Sequence, residues 1–240
     1  MSSKKSMLVI LLSFFSLVLK SQTADDVINS YIKFIGGEKN WKAVQTLTIS
    51  GVYNYVGVSF PFISYSKRPN LYKYIVTAND KSFIQAFDGK QGWRIDGFKD
   101  EKDKTILKDR QATAMANEAD VELESPFINY REKGNKVQLE GMDTSVSHGA
   151  YKIKLTHKNG NTETYFFNSK DFSLVKKLAI STNDEMDKAI LDVEYSNYKV
   201  IGNIKAPHNI SHTTNGQPVL KITIGHIELN TPINNSIFNP

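Results

Sequence analysis

From Thr46 onwards, short segments in which apolar and polar residues alternate recur along the chain, and this pattern limits the possible folds more than any other feature. Leu47 and Ile49, for example, alternate with Thr48 and Ser50. Successive side chains of a β-strand point to opposite faces, so the alternation predicts strands with one buried face. The pattern predicts about eleven strands, joined by short connections, near residues 46–55, 58–66, 70–78, 82–88, 92–96, 151–156, 163–168, 173–181, 189–198, 207–213 and 219–229.

Two segments outside the predicted strands have the pattern of helices. Thr23 to Gly37 has apolar residues at helical spacing, and Thr23 stands three residues before Asp26, as in a capping box. Residues 111–119 are rich in helix-forming residues. We find no linker and no short-period repeat, so we expect residues 22–240 to form one domain. The economical fold is mainly antiparallel β, a large curved or nearly closed sheet that two or three helices cover.

The first 21 residues have the three parts of a secretory signal peptide. Lys4 and Lys5 precede an apolar run from Met7 to Leu19, and the small residue Ser21 follows. The run is shorter than the roughly 20 apolar residues of a membrane-spanning helix. We therefore predict that residues 1–21 are a signal peptide cleaved after Ser21 and that the protein is periplasmic. An uncleaved anchor is the alternative.

Charge and cysteine content argue against several classes of protein. Three of the 30 basic residues, but no acidic residue, lie in the leader, so 27 basic residues remain against 25 acidic ones. A nucleic-acid-binding protein usually carries a strong basic patch, which this balance does not favour. The chain has no cysteine, which excludes a disulfide framework and a cysteine-linked bacterial lipid anchor. We expect a soluble monomer that does not bind nucleic acid.

The sequence contains no common catalytic motif. The nucleophile elbow, the P-loop, GxGxxG and HExxH are all missing. His208 and His212 would lie on one face of a strand, about 13 Å apart and too far for one metal ion. We therefore predict no metal, no cofactor and no enzymatic activity. An enzyme is a minor alternative that requires a polar cluster inside a cavity.

The aromatic content favours an apolar ligand. The chain has 13 Phe, 11 Tyr and 2 Trp, and many of them fall in predicted strands. A half-open barrel leaves a cavity for a ligand, whereas each aromatic residue has the alternative role of packing in the core. The aromatic residues that we predict to line the cavity are Tyr53, Tyr55, Phe60, Phe62, Tyr74, Phe83, Phe87, Trp93, Tyr165 and Phe167.

Three stretches carry motifs of one family. Residues 67–74 read KRPNLYKY, residues 87–93 read FDGKQGW, and residues 227–238 read IELNTPINNSIF. They resemble, in order and with similar spacing, the K-R-P-N-L-aromatic-x-aromatic strand, the S-D-G-K-x-x-W hairpin and the closing segment of LolA, the periplasmic outer-membrane lipoprotein carrier, and its relatives. The chain is longer than a typical carrier, notably around 97–135, and resembles a divergent paralogue of the Bacteroidetes type.

The resemblance implies an unclosed β-barrel with a helical lid that holds lipoprotein acyl chains in the periplasm. Arg68 matches the family's internal Arg, which hydrogen-bonds the lid backbone in the closed state and is released as lipid enters. An acyl chain gains about 0.8 kcal/mol per buried CH₂, which can offset those hydrogen bonds. We expect a non-enzymatic carrier of lipid or lipoprotein acyl chains, with an inner-membrane donor and an outer-membrane acceptor as partners. A lipid-sensing module on the same fold is the alternative.

Overall fold

The computed structural model describes residues 22–55, 57–123, 125–181 and 189–240. The predicted signal peptide, residues 1–21, lies outside the described residues. Within the described ranges, no helix has the length and apolar character that crossing a membrane requires.

In the described part of the chain, thirteen strands form one antiparallel sheet. Most begin or end within a few residues of the positions that the alternation predicts. Their bounds are β1 Thr46–Tyr55, β2 Val58–Lys67, β3 Leu71–Ala78, β4 Lys81–Phe87, β5 Gly92–Asp96, β6 Thr105–Ile106, β7 Lys136–Asp143, β8 Ala150–Thr156, β9 Thr162–Asn168, β10 Leu174–Ile180, β11 Ile190–Ile201, β12 Ile204–Thr214 and β13 Gln217–Leu229.

The order of the strands shows that the sheet is not closed into a barrel. The order is β6-β5-β4-β3-β2-β1-β13-β12-β11-β10-β9-β8-β7. The first and last strands therefore pair in the middle, and β6 and β7 form the two edges. No described residues pair β6 with β7, so the sheet is an unclosed antiparallel barrel, as predicted.

Two strands, β6 and β7, were not predicted. β6 has only two residues in a charged stretch, which is too short for a period to show. In β7, Val137 and Leu139 alternate with polar neighbours, but the register shifts between Leu139 and Gly141. A bulge of this kind interrupts the alternation on which the prediction depends. The strand count is therefore thirteen rather than eleven.

The described residues include three α-helices: α1 Ala24–Phe34, α2 Glu38–Ala43 and α3 Asp109–Glu122. The predicted capping box of α1 is present, because Asp26 N donates to Thr23 Oγ1 at 3.2 Å and Thr23 N donates to Asp26 Oδ2 at 3.0 Å. Gly36, between α1 and α2, has φ +108°, and a Cβ there would lie 2.3 Å from the carbonyl oxygen of Asn203. The turn thus needs glycine on two counts.

Buried side chains pack in three clusters on the concave face of the sheet. Around α1, Val27, Ile28 and Tyr31 pack against strands β8 to β10. A second cluster joins the segments after α2 and α3 to β12 and β13, through Val44, Leu123, Ile204, Ile224 and Ile227. A third packs α3 on β3 and β4, through Tyr72, Phe87, Leu107, Met115 and Ala119. The helices thereby cover one end of the concave face.

The C-terminal segment, residues 230–240, packs on the opposite, convex face of the sheet. Lys73 Nζ donates to the carbonyl of Ile237 at 3.0 Å, and Trp93 Nε1 donates to the carbonyl of Phe238 at 2.7 Å. Phe238 is fully buried. This part of the sheet is therefore covered on both faces.

Candidate functional site

A cavity of about 850 Å³ lies between the concave face of the sheet and α3. Its volume falls in the range of roughly 300–1,000 Å³ that is usual for small-molecule sites. Most of its wall is aliphatic or aromatic. The aliphatic side chains of the strands that line it include Ile49, Val76, Ile210, Ile222, Ile224 and Ile227.

The strand register explains how one face of the sheet forms this wall. Tyr195 on β11 pairs with Ile210 on β12, Ile210 pairs with Ile222 on β13, and Ile222 pairs with Tyr53 on β1. Residues that pair directly point to the same face of a sheet. The four side chains therefore form a continuous row across the cavity wall.

Different elements line the two ends of the cavity. At one end the lining includes Tyr55, Leu191 and Val219, on β1, β11 and β13. Tyr55 is 45% exposed there. At the other end the lining includes Trp41, on α2, and Met115, on α3.

Arg68 holds the ends of two helices at the covered end. Its Nε donates to the carbonyl of Val44 at 2.8 Å, and its Nη2 donates to the carbonyls of Trp41 and Leu123, both at 3.1 Å. Val44 and Leu123 are the C-cap residues of α2 and α3. The last carbonyls of a helix lack intrahelical partners and carry partial negative charge. One guanidinium thus satisfies carbonyls from both helices, and its role in gating stays a prediction.

Five of the ten aromatic residues predicted to face a ligand line the cavity. They lie on β1, β2, β3 and β4, and their contact with a ligand stays a prediction. They are Tyr53, Tyr55, Phe62, Tyr74 and Phe83.

Two more predicted aromatic residues lie next to the cavity but outside its lining. The ring of Phe60 packs edge-on against Phe98, with 6.0 Å between ring centroids. Phe87 is buried in the cluster that Met115 of α3 forms with β3 and β4. Both occupy packed positions that the predicted strands could not distinguish from a cavity wall.

The last three predicted aromatic residues, Tyr165, Phe167 and Trp93, lie in other parts of the core. Phe127 lies 4.8 Å from Tyr165 and 5.3 Å from Phe167 between ring centroids, so packed rings fill the space that a ligand would need. Trp93 pairs with Ala86 rather than with Gln85, the β4 neighbour that lines the cavity. Trp93 therefore points to the convex face, under the C-terminal segment.

A half-buried ion cluster lies on the concave face near α1. Glu163 Oε2 accepts from Tyr165 Oη at 2.7 Å and lies 2.8 Å from His157 Nε2, while Glu163 Oε1 accepts from Lys177 Nζ at 3.0 Å. Burial alone would raise the pKa of Glu163, but the His157 contact, the Lys177 charge and the Tyr165 hydroxyl outweigh it and lower the pKa to about 2. Glu163 is therefore ionised at neutral pH and holds Lys177.

The two histidines of β12 have different surroundings. His208 is buried, and its Nδ1 lies 3.2 Å from the carbonyl of Ala206. His212 lines the cavity, where burial and the charge of Lys177 lower its pKa to about 4. His212 is thus neutral at pH 7. Among the described residues, no three His, Cys, Asp or Glu side chains are arranged to hold a metal ion.

The acidic residue Glu118 was not predicted as part of the site. It lies on α3, and Tyr72 Oη donates to its Oε1 over a long 3.4 Å. Glu118 is exposed towards the cavity, and partial desolvation by the protein around it raises its pKa. The signal for it is the spacing of Gln111, Met115 and Glu118, which places them on one side of a helix. All three line the cavity.

Comparison with known proteins identifies the fold. A scan of protein-family models finds no match, and a search of the curated proteins finds none either. A crystal structure of a DUF1329 family protein from Desulfovibrio piger aligns with a TM-score of 0.59 and 9% identity, over 90% of this chain and 96% of that one. A crystal structure of a LolA superfamily protein from Nitrosomonas europaea aligns with a TM-score of 0.57 and 12% identity, over 92% and 99% of the two chains.

The chain has a LolA-like fold. At 12% identity the likeness is one of fold. It agrees with the family that the motifs at 67–74 and 87–93 indicate. In this LolA-like fold the first motif supplies Arg68, which holds α2 and α3, and the second forms the β4–β5 turn.

Proposed function

We propose that the protein binds acyl chains of lipids or lipoproteins in its cavity and carries them across the periplasm, as part of outer-membrane lipoprotein sorting. The observation that carries this proposal is the apolar cavity of about 850 Å³ in an unclosed LolA-like sheet. Ten buried methylenes gain roughly 8 kcal/mol at about 0.8 kcal/mol each. Part of that gain offsets the cost of association and ordering, so binding is firm and reversible.

Arg68 gives the proposal a means of release. Opening α2 and α3 away from the sheet breaks the three guanidinium hydrogen bonds to the helix ends. Each such bond contributes about 1 to 3 kcal/mol net, so the three together match the burial of about four to eleven methylenes at about 0.8 kcal/mol each. The free energy gained by burying an acyl chain and the free energy lost by opening the helices are therefore similar. Such a balance allows transfer between a membrane donor and an acceptor.

The direct test is to purify the protein from the envelope of its native host and to analyse it by native mass spectrometry with lipid extraction. We expect a bound lipid or lipoprotein. Recovery of the protein without either, together with no uptake of an acyl chain that carries a neutral fluorophore, would contradict the proposal.

A transfer assay separates carriage from lipid sensing. Loaded protein is mixed with vesicles made from outer-membrane extract, and the acyl chain is followed by label. A carrier passes most of its cargo to the vesicles or to an acceptor protein in them. Retention of the cargo, with a lipid-dependent change in affinity for an inner-membrane protein, would instead favour a sensing module.

A further inference from the structure

The cavity contains one acidic side chain in an otherwise mostly apolar wall. Among the described residues that line it, Glu118 is the only Asp or Glu. Glu118 is exposed to the solvent that fills the cavity. Its one hydrogen bond to the described residues is the 3.4 Å contact from the hydroxyl of Tyr72, which is long for an O–H···O bond.

Among the described residues, the groups near Glu118 compensate its charge only weakly. Burial and the charge of Glu118 raise the pKa of Tyr74. Lys177 exerts a weaker influence on Glu118, and its ammonium donates to Glu163 at 3.0 Å. His212, which also lines the cavity, is neutral at pH 7. An apolar tail that fills the cavity would displace water from Glu118, and a carboxylate without that water is costly unless a donor or a cation reaches it.

We propose that Glu118 selects the cargo: it binds a protonated amine, or a comparable cationic group, on an amphiphile whose apolar tail lies in the cavity. This inference rests on the proposed function and adds the chemistry of the head group to it. An ammonium group can donate three hydrogen bonds and also neutralises the carboxylate. The phenol rings of Tyr53 and Tyr74, which line the same part of the cavity, offer additional attraction for a cation.

The same geometry disfavours an anionic head group beside α3. A carboxylate or phosphate there would face Glu118 and require a second proton or a counter-ion. Lys99 lines the cavity and is exposed, so an anion could bind only away from Glu118. The prediction is therefore an order of preference among head groups on identical tails, with the amine first and the carboxylate last.

The test compares dodecylamine, dodecanol and dodecanoate at neutral pH, by displacement of the neutral dye N-phenyl-1-naphthylamine from the protein. We expect the amine to bind about tenfold more tightly than the alcohol, the fold-change that one charge-assisted hydrogen bond provides. Glu118→Gln should remove this preference and leave the affinity for dodecanol within about twofold, which also shows that the variant folds. Glu132→Gln makes the same charge change at an exposed position and should keep the preference.

The outcomes separate the two proposals. Equal affinities for the amine and the alcohol, a preference for dodecanoate, or an unchanged amine preference in Glu118→Gln would overturn the role of Glu118 and leave acyl binding intact. If neither the dye nor any of the three amphiphiles binds, acyl binding itself fails.

Discussion

The guanidinium Nη2 of Arg68 and the carbonyl oxygen of Leu123 lie 3.1 Å apart. Their hydrogen bond joins the β2–β3 turn to the end of α3. The same nitrogen donates to Trp41 at the end of α2. Two covering helices thus depend on one side chain. Substitution of Arg68 is therefore the simplest test of whether these hydrogen bonds control opening of the cavity.

Arg68→Leu removes three hydrogen bonds to the ends of α2 and α3, although the carbonyl of Trp41 still accepts from the backbone N–H of Val44 at 3.1 Å. We expect a loss of about 2 to 4 kcal/mol in the free energy of unfolding and faster release of a bound acyl chain. Arg68→Lys keeps the charge but cannot make all three hydrogen bonds. Its stability and its release rate should therefore lie between those of the unchanged protein and Arg68→Leu. Denaturant unfolding and stopped-flow release of a fluorescent acyl chain measure these effects.

The matched control is Arg131→Leu. Arg131 is exposed and forms an ion pair with Asp25. A surface ion pair contributes at most about 1 kcal/mol, and this one lies outside the cavity lining. Unchanged release in Arg68→Leu, or equal acceleration in Arg131→Leu, would show that Arg68 does not control opening.

Filling the cavity should block binding without unfolding the protein. Ile210 and Ile222 pair on neighbouring strands and line the cavity, and Ile210→Phe with Ile222→Phe adds bulk where space is available. We expect acyl-chain affinity to fall at least about tenfold with little change in melting temperature. Val200→Phe, at a position 71% exposed, should leave affinity unchanged. Undiminished binding in the double variant would place the ligand elsewhere.

We predict that Trp93 supports stability rather than ligand binding. Trp93→Phe removes the donor to the carbonyl of Phe238 and should cost about 1 kcal/mol of stability. Acyl-chain affinity should not change, because the side chain lies on the convex face. A loss of affinity as large as that of the cavity-filling variant would contradict this placement.

The pH dependence of stability should include a contribution from Glu163. Its pKa of about 2 in the folded protein lies below the ordinary value of 4.5, so the contribution is present above pH 4.5 and is lost as the pH falls towards 2. The stability difference between wild type and Glu163→Gln should shrink by about 2 kcal/mol between pH 7 and pH 3. Denaturant unfolding measures it. A difference independent of pH, or one that Glu132→Gln reproduces, would argue against the ion cluster.

The sequence predicted the sheet well because most strands bury one face. Hairpin signals such as Asp88–Gly89 also appear where expected, with Asp88 Oδ1 accepting from the backbone of Lys90 at 2.8 Å and of Gln91 at 2.7 Å. β5 was harder, because the C-terminal segment covers its convex face. Both Gly92 and Trp93 are buried there, so burial alternates too weakly to show which face Trp93 occupies.

The site was predicted only in part, since packing between distant segments decides which aromatic residues face empty space. Tyr53 and Tyr165 both lie in segments with the alternation of a strand. Phe127, from the segment after α3, packs against Tyr165, whereas Tyr53 lines the cavity. Glu118 was missed for a related reason. A glutamate on a short predicted helix is usually solvated, and only the position of α3 over the sheet turns it inward.

The most direct measurement of the central claim uses the two tryptophans, Trp41 in the cavity lining and Trp93 on the convex face. A twelve-carbon alcohol brominated on its tail quenches tryptophan fluorescence on contact. In Trp93→Phe, where only Trp41 remains, we predict saturable quenching that an unbrominated alcohol reverses. In Trp41→Phe, where only Trp93 remains, we predict no saturable quenching. Quenching of Trp93 alone, or of neither tryptophan, would contradict an acyl chain bound in this cavity.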